Sequence, residues 1–176
     1  ASIVLNDNIL WVTGGWSGGY LAYLASTEYV TVTGTIFGPN LPQTLSNHAM
    51  VAINKTCSMV IGGISADYSA TTYFHEQDRT LFYDHNEGQW ITGPSLMQAR
   101  MNHAAGIVTD EVTDESLVAV TGGRYYGESA NCPYGKKSIW RIIHWENICM
   151  ESIHMHIQFF FQRADAPRTI LMHISM

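Results

Sequence analysis

The stretch Ala1-Ser-Ile-Val-Leu-Asn-Asp-Asn-Ile-Leu-Trp-Val-Thr-Gly-Gly15 lies without a gap over Ala49-Met-Val-Ala-Ile-Asn-Lys-Thr-Cys-Ser-Met-Val-Ile-Gly-Gly63. Each copy reads as an apolar strand, a polar turn, a second strand and a glycine pair. A third copy opens at Ala104-Ala-Gly-Ile-Val-Thr109 and closes at Leu117-Val-Ala-Val-Thr-Gly-Gly123. Its turn is longer and acidic, with Asp110, Glu111, Asp114 and Glu115. A turn that grows while its strands stay intact is what a surface hairpin tolerates. Self-similarity of this kind marks a repeated supersecondary unit.

A second landmark keeps the same spacing. Gly38-Pro39 is followed by Asn47-His48-Ala49, and Gly93-Pro94 by Asn102-His103-Ala104 at the same interval. The stretches between glycine pair and Gly-Pro differ in length, so core segments are constant and loops vary. In the complete copy the pattern predicts four strands: Met50 to Asn54, Ser58 to Ile61, Thr80 to Tyr83 and Gln89 to Thr92. Asp84 to Gly88 supplies the last turn, where Gly88 tolerates positive φ. The second strand is apolar on both faces in every copy, as expected where small sheets stack face to face. At the glycine pairs the second glycine is expected to take positive φ where the chain turns sharply.

A glycine pair closing an apolar strand, then Tyr83-Asp84, then Trp90, resembles the kelch repeat over roughly residues 1 to 128. The first copy departs from it: Glu28-Tyr29 supplies a tyrosine, but Thr35 stands where a tryptophan is expected. In the third copy Trp145 falls as far from Asn102 as Trp90 does from Asn47. The resemblance implies an all-β chain, a partial kelch-type β-propeller of about three four-stranded blades with an atypical C-terminal tail. Residues 1-46 form the first blade, 47-101 the second, 102-128 the inner strands of the third and 129-176 the tail. Tyr83 and Trp90 are then pegs between blades, their polar tips reaching backbone acceptors. His48 and His103 recur at one register, which implies rings hydrogen-bonded to the neighbouring blade's backbone. Three blades leave two apolar faces bare, costing on the order of 10–20 kcal/mol of burial at roughly 25 cal/mol per Å². Further blades, a partner copy or a covering tail is therefore expected.

Composition narrows the function. The 176 residues carry a net charge of −6, with no basic footprint for a phosphate backbone. No uninterrupted apolar run is long enough for a membrane span; the stretch Ile148 to Phe161 is broken by Glu151, His154, His156 and Gln158. Cys57, Cys132 and Cys149 form no C-x-x-C pair and are odd in number. They read as free thiols, which leans towards an intracellular rather than a secreted setting. Against that stands the sequon Asn54-Lys55-Thr56, which marks a surface turn. Past Ser129 the composition changes: glycine nearly vanishes and Ile, Met, Phe and His gather. There Ser138 to Ile143 reads as an outer strand, as part of a loose helical stripe, or as a segment foreign to the domain.

Chemistry is thin. His154-Met155-His156, with His144 and His173, lacks the carboxylate or thiolate spacing of a recognised metal motif, so no metal or other cofactor is expected. No nucleophile elbow or phosphate loop occurs, and the chain reads as non-enzymatic. In kelch-like propellers the loops after the glycine pairs and the links between blades form one rim. Here that rim comprises Trp16, Tyr20, Tyr68, Gln98, Arg100, Asn102, Arg124 and Tyr125, with Asp67 and Tyr126 beside them. Trp, Tyr and Arg dominate interface hot spots. Arg100, Arg124 and Tyr125 suit an acidic peptide or carboxylate. The resemblance thus implies an interaction scaffold such as a substrate adaptor. Its rival is a copper-dependent oxidase-like or a glycan-binding or glycan-processing propeller, resting on the tail histidines and the sequon.

Overall fold

The computed structural model describes residues 1–6, 8–18, 22–66, 74–109, 116–125 and 141–143. These residues contain strands and no helix. Strands β1 (Ser2–Asn6), β2 (Ile9–Trp16), β3 (Tyr23–Thr31) and β4 (Gly34–Phe37) form one antiparallel meander in chain order. Strands β5 (Ala49–Ala52) and β6 (Cys57–Ile61) begin the second sheet. A short hairpin of β7 (Ile64–Ala66) and β8 (Phe74–Glu76) follows as a separate two-stranded sheet. The second sheet then resumes with β9 (Thr80–Asp84) and β10 (Gln89–Thr92), in the order β5-β6-β9-β10. Strands β11 (Met101–Thr109), β12 (Ser116–Arg124) and β13 (Arg141–Ile143) make the third sheet.

The three repeats thus occupy three separate sheets, whose first strands lie side by side, β1 against β5 and β5 against β11. Strand β6 shows why its sequence has no polar face. Cys57, Met59 and Ile61 pack with Val118 and Val120 of the third sheet. Val60 points the other way, to Trp11 of the first. Alternation sends successive side chains to opposite faces, and both faces are covered.

The register carries this partition through the second sheet. Met59 pairs with Phe82 and Phe82 with Ile91, all on the side of the third sheet. Val60 pairs with Leu81 on the side of the first, where Tyr83 and Trp90 also pair. In the first sheet Trp11 pairs with Tyr29 and Leu10 with Val30, and Val30 pairs with Thr35. Tyr29 therefore holds the place of Phe82 rather than of Tyr83, one residue from the expected register. Val30 replaces Tyr83, and Thr35 does stand in the place of Trp90.

Between sheets, Trp11 is fully buried in an aromatic nest. Its ring centroid lies 5.2 Å from that of Tyr83, 5.8 Å from that of Trp90 and 5.0 Å from that of His85. The Trp90 indole donates to the Asn40 carbonyl at 2.7 Å, so the expected peg with a backbone-bound tip is present. Past the expected strands, Arg141–Ile143 pairs with β12, which agrees with the outer-strand reading there. Trp145 and the remainder of the tail lie outside the described residues.

Candidate functional site

The glycine pairs and the links into each first strand come together at one end of the sheets. Both glycines of each pair take positive φ, 53° and 129° at Gly14 and Gly15, 56° and 102° at Gly62 and Gly63. The conformational demand therefore extends to the first glycine, beyond the expected second. Gly63 also meets backbone: a Cβ there would sit 2.6 Å from the Ser46 carbonyl and 2.8 Å from His48 Cβ. The Gly63 amide donates to the Arg100 carbonyl at 2.8 Å, as Gly15 donates to that of Leu45. Each pair thereby ties its own sheet to the link that follows.

The repeated Asn-His dipeptide has a backbone role. Asn47 and Asn102 both hold φ 53°, a left-handed conformation in which Asn is enriched among non-glycine residues. The Asn102 amide donates to the Asn47 carbonyl at 2.9 Å, stringing consecutive links together. His48 is buried, and its Nε2 lies 2.8 Å from Thr13 Oγ1 on the preceding sheet. The partner is a side chain, not the backbone expected. His103 occupies the same slot, but Ile61 stands where Thr13 does; neither ring nitrogen meets a partner in good hydrogen-bond geometry, and the Ile61 backbone is the polar group that acts on the ring. Burial lowers the His48 pKa to about 3, helped by the Ala1 ammonium and His103. Burial lowers that of His103 to about 4, with the Arg100 charge adding and the Ile61 backbone opposing.

The predicted rim residues separate into two groups. Arg100 is buried, only 6% exposed, and its guanidinium donates to the Gly122 carbonyl at 2.7 Å and the Gln98 carbonyl at 3.4 Å. Burial also pushes its pKa down. It serves the joint between the link and the third sheet and offers no open fork to a carboxylate. The first link has Leu45 at this register, equally buried, and a leucine in the matching slot was the signal that the position faces inward. Gln98 is half-buried beside it, and Asn102 is exposed. Arg124 pairs with Met101 across β11 and β12, which sets it next to Asn102 and Tyr125. Tyr20 and Tyr68, with Asp67 and Tyr126, lie outside the described residues.

Three large side chains emerge at this end. Trp16 is 62% exposed, Tyr125 46% and Phe74 41%. Trp16 pairs with Tyr23, whose ring meets Phe74 edge-on at 5.7 Å, so the first sheet and the β7–β8 hairpin share one aromatic patch. Phe74 escaped sequence reading because strands of three residues carry no periodicity.

At the opposite end Asn54 is exposed in the β5–β6 turn, its Oδ1 accepting from the Thr56 amide at 2.8 Å and hydroxyl at 3.0 Å. Cys57, just beyond, is disulfide-bonded, which corrects the reading of all three cysteines as free thiols. An odd count leaves one thiol over but does not prevent two from joining, so the cysteines no longer argue for a reducing compartment.

Among the described residues no group of three or more His, Cys, Asp or Glu is placed to hold a metal ion. His144, His154, His156 and His173 lie outside them. Among them, too, no helix is long and apolar enough to cross a membrane. The described residues define an all-β protein of stacked antiparallel sheets. No family model and no curated protein matches the chain.

Proposed function

We propose that the chain is a non-enzymatic protein-interaction scaffold built from kelch-type propeller blades. It takes an acidic peptide segment on the rim at the glycine-pair end. Supporting the propeller reading are three meander sheets whose first strands stand side by side. The observation that carries the binding reading is the placement of Trp16, Phe74 and Tyr125. All three are exposed at the one end where the polypeptide leaves its sheets, while the repeated His and Arg100 are absorbed inside. Large aromatic side chains presented together supply contact area, and Arg124 supplies the charge that orients a carboxylate.

The test is fluorescence anisotropy with a labelled acidic peptide panel against the same panel with Lys replacing Asp and Glu. Arg124→Glu and Trp16→Ala are each expected to weaken acidic-peptide binding about tenfold or more, the size of one charge-assisted contact or one aromatic anchor. Val32→Glu, in the β3–β4 turn at the far end, leaves it unchanged. Equal binding of both panels, or indifference to Arg124→Glu, removes the rim from consideration.

A further inference from the structure

The sequon Asn54-Lys55-Thr56 is the only Asn-X-Ser/Thr tripeptide in the chain, and neither the packing of the sheets nor the rim uses it. It forms the turn between β5 and β6, at the end of the sheets away from the glycine pairs. Asn54 and Lys55 are exposed there, while Ile53 and Cys57 on either side are buried. The backbone of the turn is pinned from beneath. The Cys57 carbonyl accepts from the Ile53 amide at 2.9 Å and the Asn54 amide at 3.2 Å, and the Thr56 carbonyl accepts from the His85 amide at 2.8 Å. Asn54 Oδ1 takes both the Thr56 amide and the Thr56 hydroxyl, and neither bond engages Nδ2. The asparagine is thus held by its oxygen in a fixed, exposed turn.

The repeat does not account for these residues. At the aligned turn the first copy has Asn6-Asp7-Asn8, and the third has no asparagine between Thr109 and Ser116. The hairpin therefore closes without the tripeptide. The adjacent thiol is a second departure, since Ile9 and Leu117 align with Cys57. An aliphatic side chain serves that position in the other two sheets, whereas Cys57 is disulfide-bonded. Disulfides form and persist in oxidising compartments such as the secretory lumen. Exposed Asn-X-Ser/Thr turns of secreted chains are glycosylated. The two departures are neighbours in sequence, and one environment explains both.

We infer that Asn54 is a site of N-linked glycosylation and that this chain matures in an oxidising secretory lumen. The donor is a lipid-linked glycosyl diphosphate. Asn54 Nδ2 attacks the anomeric carbon of its first sugar: the N–C bond forms as the C–O bond to the diphosphate breaks. The lipid diphosphate leaves with the bonding electron pair, and one amide proton passes to a base of the transferase. No oxidant or reductant enters this step. The product keeps Oδ1, so both hydrogen bonds from Thr56 survive the transfer. A glycan here stands at the opposite end of the sheets from Trp16, Phe74 and Tyr125 and leaves that rim open. The inference does not depend on what the rim binds.

The experiment takes the protein from the cells that make it and treats it, in heavy-oxygen water, with an amidase that releases N-linked glycans. Mass spectrometry of the peptide spanning Asn54 is expected to show an aspartate carrying heavy oxygen, and the treated protein to gain a single step of gel mobility. In a parallel sample thiols are alkylated with one reagent before reduction and a second after it; Cys57 is expected to carry the second. Variants are produced in the same cells. Asn54→Asp keeps an oxygen acceptor for Thr56 and removes only Nδ2, and is expected to lose the mobility step completely. Thr56→Ala loses it too, whereas Thr56→Ser, which restores the hydroxyl, retains it. An unmodified Asn54 in the unaltered protein, a mobility step that survives Asn54→Asp, or a Cys57 alkylated before reduction each overturns the inference. If a variant fails to fold, the heavy-oxygen result on the unaltered protein decides alone.

Discussion

Acidification from pH 7 to pH 5 should destabilise this fold through two histidines alone. His48 and His103 are buried, with pKa values lowered to about 3 and about 4. An imidazole in the unfolded chain titrates near 6.5. With the folded values depressed, the unfolded state binds more protons, so stability is full above about pH 6.5 and falls as the solution is acidified towards pH 4 and 3. Between pH 7 and 5 the unfolded rings become almost wholly protonated while the buried rings stay neutral. The cost is about 1.9 kcal/mol for each ring and about 4 kcal/mol together. That sum barely depends on the folded values, since both lie below the window. Against a domain stability of about 5–15 kcal/mol it is a large fraction.

The assay is urea unfolding at pH 7, 6 and 5 and one protein concentration, read by circular dichroism and by tryptophan fluorescence. The comparison is between the unaltered chain and a variant carrying His48→Gln and His103→Gln. The variant starts less stable but is expected to lose about 4 kcal/mol less over the same interval. Groups elsewhere in the chain that titrate in the window are common to both proteins and cancel in the difference. If both lose stability in parallel, the two rings are not neutral in the fold and the reasoning fails.

Two smaller perturbations test the joints. Thr13→Val keeps the shape but removes the hydroxyl that meets His48 Nε2 at 2.8 Å, and is expected to cost about 1–3 kcal/mol in chemical denaturation, the penalty of a stranded buried polar group. Gly63→Ala forces a Cβ against the Ser46 carbonyl at φ 102° and is expected to cost more than about 2 kcal/mol. Gly106→Ala, where a Cβ meets nothing within 4 Å, is expected to be neutral or to stabilise by up to about 1 kcal/mol. Equal effects at Gly63 and Gly106 in thermal unfolding would refute the account of the glycine pairs.

How far the fold was legible follows from what repeats. The glycine pairs and the Asn-His links recur because the backbone needs φ > 0 at these points, a demand written in residue type. The four strands of the second sheet were therefore placed nearly to the residue. Side-chain partners are a different matter, since they depend on register across elements distant in sequence. Tyr29 reads as the counterpart of Tyr83 by residue type, and only the pairing Trp11↔Tyr29 reveals it as the counterpart of Phe82. Arg100 reads as an exposed cation, yet its guanidinium is spent on the carbonyl of Gly122, on the middle strand of the third sheet some twenty residues on.

The repeat also explains why function is the least legible layer. Whatever recurs at one register, such as the glycine pair, Asn47 with Asn102, or His48 with His103, is accounted for by chain geometry and inter-sheet packing. On the proposed scaffold function, discrimination between partners resides where the copies differ. The residue immediately after each glycine pair is Trp16 in the first copy, Ile64 in the second and Arg124 in the third. The same backbone exit thus delivers an exposed indole to one part of the rim and a guanidinium to another. At the middle exit the buried Ile64 anchors a hairpin that carries Phe74 outward instead. A uniform scaffold holding three unlike side chains at equivalent exits separates the requirement to fold from the requirement to discriminate, so the rim can change without disturbing the joints beneath it.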